Sequence, residues 1–193
     1  MMSEIGMSDS EPKILVTGAS SSGKSEFAEA LAARTDKSVI YLATARIDQS
    51  DRQWQEKILQ HQQRRPSNWQ TVVTSENTEL ESYIEQASKT ECLLIDSLGT
   101  WVANFLELDP VEWQQKCDRL LLSLQSSSAE IILVGEETGW GIVPAYPSGR
   151  LFRDRLGFLS RKIANVVDVT YLVAGGHILN LSLLGEPLSK YKI

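Results

Sequence analysis

The stretch Lys13-Ile-Leu-Val-Thr-Gly-Ala-Ser-Ser-Ser-Gly-Lys-Ser25 decides how this chain is read. Its first part, Lys13–Thr17, is dense in branched apolar residues and reads as a buried strand. Its second part, Gly18–Ser25, matches G-x-x-x-x-G-K-[ST] in full. The residues that follow, Lys24–Ala33, are alanine-rich with Phe27, Ala28 and Leu31 on one face, and read as a helix. Strand, glycine turn and helix in that order are what a phosphate cradle requires. Gly18 and Gly23 allow close approach and unusual backbone angles. The N–H groups of Ala19, Ser20, Ser21 and Ser22 are then free to turn toward an anion, and the helix N-terminus adds its positive end. In this reading Lys24 reaches the β- and γ-phosphates of a nucleoside triphosphate, and Ser25 offers its hydroxyl to Mg²⁺. The plainer alternative is a glycine–serine turn before a helix. The flanking strand and helix favour the cradle.

Working outward, further apolar runs occur at Ser38–Ala43, Glu91–Asp96, Glu130–Glu136 and Thr170–Ala174, with a weaker one at Gln70–Thr74. They do not alternate with polar residues, which marks strands buried on both faces of a parallel sheet. Amphipathic stretches between them predict helices over Asp51–Arg64, Glu79–Ala87, Leu98–Leu106, Val111–Leu124 and Arg150–Val166. Gly175-Gly176 predicts a hairpin turn joining Thr170–Ala174 to a last strand, Ile178–Leu184, at the sheet edge. The sum is an α/β P-loop domain of RecA-like type. Its mostly parallel sheet is flanked by helices and ends in an antiparallel hairpin. One domain is expected over residues 13–193, after a loose polar tail at 1–12.

Ligands of such folds sit at the carboxyl ends of the strands. Asp96 ends one apolar run and is the expected second metal residue, against the alternative of a helix cap beside Ser97. The guanine signature N-K-x-D of regulatory GTPases is missing, since Asn165–Asp168 has the spacing without the lysine.

Composition narrows the partners. The chain has 193 residues, 42% hydrophobic and 23% charged, with a net charge of −6. That balance argues against nucleic acid as a partner. No apolar run approaches the ~20 residues of a membrane span, and Met1–Pro12 does not read as a signal peptide. The two cysteines, Cys92 and Cys117, lack metal-ligand spacing and fit a reducing cytoplasm.

His61 shares a helical face with Arg64 and Arg65. A neutral imidazole is a competent nucleophile toward an α-phosphate, and the arginines would neutralise the developing charge. Spacing alone equally allows a histidine packed beside Trp54 and Ile58.

Four segments together carry a resemblance. They are Ile14-Leu-Val-Thr-Gly18 with Gly23-Lys24-Ser25; Tyr41-Leu-Ala-Thr44; Ile58-x-x-His61-x-x-x-Arg65-Pro66-x-x-Trp69; and Gly139-x-Gly141-Ile-Val-Pro144 with Arg150-x-Phe152-Arg153-Asp154. In this order they resemble the bifunctional adenosylcobinamide kinase / adenosylcobinamide-phosphate guanylyltransferase family, from about Lys13 to Ala174. The resemblance implies phosphorylation of adenosylcobinamide by ATP or GTP, then transfer of GMP from GTP, through a guanylylated histidine, to the cobinamide phosphate. The histidine of that step falls on His61. A homotrimer with active sites between subunits is also implied. The chain departs from the family pattern at Gln53, where an acidic residue is usual, at Glu136, where Asn is common, and at Ser160-Arg161, where Asn-Gln is usual.

The loop Glu136-Glu137-Thr-Gly-Trp-Gly-Ile-Val-Pro144 follows an apolar strand. With Thr44 and Arg153 it forms the expected substrate side, where Glu137, Gly139, Gly141 and Pro144 are the named candidates. Arg150 and Arg153 are placed to meet phosphate, Arg155 to lie on a solvated charged face, and His177 to be structural. Two other functions stay open on the sequence: a small-molecule P-loop kinase without guanylyl transfer, and a non-catalytic, RecA-like regulatory protein.

Overall fold

A computed structural model describes residues 11–45, 65–74 and 79–191. Its strands are β1 (Lys13–Gly18), β2 (Ser38–Ala43), β3 (Gln70–Val73), β4 (Glu91–Asp96), β5 (Glu130–Glu136), β6 (Val169–Ala174) and β7 (His177–Asn180). The helices are α1 (Lys24–Ala32), α2 (Leu80–Gln86), α3 (Leu98–Ala103), α4 (Pro110–Ser126), α5 (Pro147–Ala164) and a short α6 (Leu181–Leu184). The strands form one seven-stranded sheet in the order β3-β2-β4-β5-β1-β6-β7. Every pairing is parallel except β6 with β7. Parallel pairing aligns the carboxyl ends of β1, β2, β4 and β5 along one edge, so the segments that follow them become neighbours.

The period of two along each strand sorts the core into two layers. Val16, Tyr41, Leu94 and Ile132 face α1 with its Ala28 and Ala32. Leu15, Leu42, Leu93, Ile95, Ile131 and Leu133 face the opposite layer, which holds Trp101, Trp113, Leu120, Leu156 and Leu159. Because both faces are covered, the central strands read as continuous apolar runs.

Helix α4 shows the local logic. Asp109 accepts from the N–H groups of Val111 and Glu112, Glu112 closes a capping box, and Pro110 takes the first turn, where its missing N–H costs nothing. Trp113, Cys117, Leu120 and Leu124 then recur at helical spacing and are buried.

Three expectations need correction. The edge strand expected over Ile178–Leu184 stops at Asn180, whose side chain accepts from the Leu183 N–H and starts α6. The turn itself is as expected, with Gly175 at φ 57° and Gly176 at φ 75°, angles that suit a two-residue hairpin. Helix α3 stops at Ala103 instead of Leu106. The carbonyls of Phe105, Leu106 and Leu108 accept from the Arg155 guanidinium at 2.7, 3.2 and 2.6 Å instead of continuing a helix. Arg155 is therefore no solvated surface residue. It is buried, with its guanidinium 4.8 Å from the centre of the Trp113 ring.

Of the expected tail, Glu11 and Pro12 are described. Glu11 pairs with Lys37, and the Pro12 carbonyl accepts from Ile131 N–H at 3.1 Å. The Asp168 carboxylate accepts from Lys13 N–H at 2.7 Å and so pins the start of β1. Both cysteines are free and buried, and burial pushes their thiols up to about 12. Among the described residues no helix is long and apolar enough to cross a membrane.

Candidate functional site

The cradle lies between β1 and α1. Gly18 is required by crowding: a Cβ there would stand 2.5 Å from the Val173 carbonyl oxygen and 2.6 Å from Ser22 Oγ. Ser21 and Gly23 carry the positive φ values, 57° and 92°, that curl the turn. Among the described residues Ser22 is the one member of 19–25 whose N–H meets a main-chain acceptor, the Ala19 carbonyl at 3.2 Å. Ser22 Oγ is buried and has no partner. Lys24 is buried, and its Nζ donates to the Ala19 carbonyl at 3.1 Å, so the ammonium is folded back across the turn. Ser25 opens α1 beside it. The turn thus carries a cation, open N–H groups and an unsatisfied hydroxyl, a combination that answers to an anion.

The carboxylates stand on the adjoining strand ends. Register sets Gly18 opposite Glu136, and Asp96 opposite Ala43 on one side and Val134 on the other. Asp96 Oδ2 accepts from the Tyr41 hydroxyl at 2.8 Å. Burial first, then the Asp96 charge, hold the Tyr41 phenol well above its ordinary pKa, against the opposing pull of Arg65, so Tyr41 stays a donor. Glu136 is clamped: Ser97 Oγ donates to Oε1 at 2.5 Å and Gly99 N–H to Oε2 at 2.8 Å. Burial raises its pKa, opposed by the Ser97 hydrogen bond, the Lys24 charge and the Gly99 N–H, while the Asp96 charge adds to the rise. Glu137 stands at the rim, its Oε1 accepting from Thr17 Oγ1 at 2.8 Å and its N–H donating to the Gly18 carbonyl at 2.9 Å.

Asp96 and Ser25 are oxygen donors of the kind a hard cation takes. Among the described residues no group of three or more His, Cys, Asp or Glu side chains could hold a metal unaided.

Thr44 lies deeper than the sequence reading placed it. It is fully buried, its hydroxyl donates to the Ser97 carbonyl at 2.6 Å and accepts from Ser97 N–H at 2.9 Å, and its carbonyl accepts from Asn104 Nδ2 at 2.8 Å. It knits the end of β2 to the start of α3. Arg65 has its Cζ 3.2 Å from the centre of the Tyr41 ring and a long bond to Thr71 Oγ1 at 3.5 Å. His61, with the expected helix Asp51–Arg64, lies outside the described residues.

Gly139 and Gly141 are exposed with open space around them. Between and after them Trp140, Ile142 and Val143 are exposed, Ile142 at 95%. Arg150 fastens this loop by donating to the Pro144 and Ala145 carbonyls at 3.0 and 2.7 Å. Arg153 pairs with Asp154 at 3.7 Å. His177 holds the Gly175 carbonyl within the hairpin turn, at 2.9 Å from Nδ1.

Sequence reasoning missed the Glu136 clamp and the Tyr41–Asp96 bond. The cap pattern Ser97-x-x-Thr100 was a usable local signal for the first. No local signal existed for the second, because it joins residues 55 positions apart.

Comparison with known proteins gives two kinds of likeness. The family profile described as cobinamide kinase / cobinamide phosphate guanyltransferase matches residues 14–181. The bifunctional adenosylcobalamin biosynthesis protein CobP of Pseudomonas aeruginosa is 38% identical over 177 residues, covering 90% of this chain and 98% of that protein. The protein CobU of Escherichia coli K12, of the same description, is 33% identical, covering 84% and 96%. Among solved structures, a Pyrococcus horikoshii OT3 protein superposes with a TM-score of 0.54 at 6% identity, over 88% of this chain and 85% of that one. An ATPase of a bacterial type III secretion system gives 0.52 at 10% identity, over 90% and 53%. At these identities the structures speak for the fold alone.

Proposed function

This chain belongs to the cobinamide kinase / cobinamide phosphate guanyltransferase family, whose members are transferases, and from that premise we propose that it carries out both reactions in cobalamin biosynthesis. In the first, a nucleoside triphosphate, ATP or GTP, phosphorylates adenosylcobinamide. In the second, GTP gives up pyrophosphate and its GMP passes through a histidine to the cobinamide phosphate, yielding adenosyl-GDP-cobinamide. The observation that carries this reading is the 18–25 turn, with Lys24 folded across it and Ser22 Oγ buried without a partner.

In the kinase step the turn's N–H groups and Lys24 hold the triphosphate tail, and catalysis is mainly positioning and charge neutralisation. The acceptor hydroxyl oxygen bonds to the γ-phosphorus as the bond to the β,γ-bridging oxygen breaks. Glu137, fixed at the rim by Thr17, takes the hydroxyl proton. Asp96 and Ser25 would hold Mg²⁺, which when bound neutralises charge on the phosphate oxygens. In the transfer step a His61 ring nitrogen bonds to the α-phosphorus and pyrophosphate leaves. Arg65 steadies the charge on that phosphate. A phosphate oxygen of the acceptor then displaces the imidazole. The exposed loop with Gly139, Gly141 and Pro144, and Arg153 behind it, forms the corrinoid side.

The exposed apolar side chains along the last edge, among them Ile178, Leu183 and Leu184, support association with further copies of the chain, a homotrimer by family resemblance. Two free, buried thiols and a net charge of −6 support a cytoplasmic enzyme with no nucleic-acid partner.

The test is labelling with α-³²P GTP. Wild type takes up label through an acid-labile, base-stable bond, while His61→Ala takes up none and still phosphorylates adenosylcobinamide. An unlabelled wild type that phosphorylates adenosylcobinamide would leave a plain small-molecule kinase.

A further inference from the structure

Tyr41 touches two charged groups, the Asp96 carboxylate at the end of β4 and the Arg65 guanidinium before β3. It is 3% exposed, its ring packed in the layer with Val16, Ala28, Val39 and Leu94. Tyr41 stands opposite Leu94 and Ala43 opposite Asp96, so the phenol runs along the sheet for one two-residue step and meets the Asp96 carboxylate at its end. The hydroxyl donates to Asp96 Oδ2 at 2.8 Å. The ring carries the Arg65 guanidinium 3.2 Å from its centre. Among the described residues Arg65 has no carboxylate partner, and its Nε is buried with no hydrogen bond. Its planar cation is held by a π face, a contact that orients the guanidinium without neutralising it.

We propose that Tyr41 is a positioning residue that sets the Asp96 carboxylate and the Arg65 guanidinium as one unit facing a Mg²⁺-bound nucleotide. The proposal rests on the reading of the cradle given above and adds a residue to it. An aspartate at a strand end can rotate, and a bond from a neutral donor to one oxygen stops that rotation and leaves the other oxygen to a cation. The same ring fixes the height of Arg65 above the sheet. A tyrosine kept only for packing would be replaced by phenylalanine with no change in the metal dependence of nucleotide binding.

The experiment measures GTP affinity by calorimetry, with Mg²⁺ and with EDTA, for wild type, Tyr41→Phe, Tyr41→Leu, Asp96→Asn and the Tyr41→Phe/Asp96→Asn double variant, each checked by thermal melting. Tyr41→Phe keeps the ring and loses the hydroxyl. Its affinity is expected to fall about tenfold with Mg²⁺, the scale of a lost hydrogen bond to a charged group, and to match wild type in EDTA. In the Asp96→Asn background the same change adds no further loss, as expected for two groups acting through one contact. Tyr41→Leu, which also removes the platform of Arg65, weakens binding in EDTA as well. Should that variant not fold, the phenylalanine cycle decides alone. Tyr41→Phe binding like wild type with Mg²⁺, or weakened equally with and without it, overturns the proposal and leaves the cradle reading standing. A wild type that gains no affinity from Mg²⁺ also overturns the proposal, and one that binds GTP in neither buffer removes the cradle reading with it.

Discussion

The cradle edge and the loop that leaves it at Gly139 are adjacent in sequence and opposite in construction. At the edge, polar side chains are bonded across strands: Thr17 to Glu137, Ser97 to Glu136, Tyr41 to Asp96, Thr44 to Ser97. Ser22 Oγ, in the turn itself, is buried without a partner. In the loop the apolar side chains have no cover, and Arg150 is the fastening. The difference separates two demands. Phosphoryl transfer needs charges held to a fraction of an ångström, which cross-strand bonds supply. In the function proposed above, a large, partly apolar acceptor would cover the exposed Trp140, Ile142 and Val143 itself.

The contrast can be broken from either side. The largest effect is expected at Lys24. Lys24→Ala should lower kinase turnover by about 10²–10³-fold, the scale for removing one preorganised charge from a phosphoryl-transfer site, with a melting curve like that of wild type. Near-normal turnover would move the chemistry away from this edge.

The Glu136 clamp gives an intermediate effect. Its pKa in the folded protein lies above the ordinary 4.5. The folded state therefore binds this proton more tightly than the unfolded chain does. Its contribution is fully present below about the ordinary carboxylate value and is lost as pH rises through the raised one. Glu136→Gln removes that slope, so wild type should lose stability relative to the variant as pH climbs from 4.5 toward neutrality. Denaturant titrations at stepped pH check it, and parallel curves would mean the carboxylate is not strained by its burial.

The smallest effect on the fold is expected in the loop. Ile142→Ser should leave stability within about 0.5 kcal/mol, as for exposed positions generally. It should raise KM for the corrinoid while KM for GTP stays unchanged. A large loss of stability would show that the loop is packed and would erase the contrast.

Much of the fold was legible from local pattern. The apolar runs gave β1, β2, β4 and β5 to within a residue, and the turn at 18–25 follows from glycine spacing. Helix ends were less legible. Helix α5 starts at Pro147, three residues before the expected Arg150, because proline favours a first helical turn. Helix α3 stops early because Arg155, 50 positions from Phe105, takes the carbonyls that follow. The candidate site divides the same way. Gly18, Gly23, Lys24, Ser25 and Asp96 were legible, whereas the clamp on Glu136 and the buried place of Thr44 were not.

By itself the sequence determined a parallel α/β sheet, a glycine-rich turn after its first strand and an acidic residue at the end of β4, since periods of 2 and 3.6 and glycine spacing are local quantities. Which strands would be neighbours was decided only by the tertiary structure. Placing β4 between β2 and β5 brings Tyr41, Asp96, Ser97 and Glu136 to one edge. Hydrogen bonds of 2.5–2.8 Å between residues tens of positions apart leave no periodic trace along the chain, because they arise from strand order and register and not from spacing.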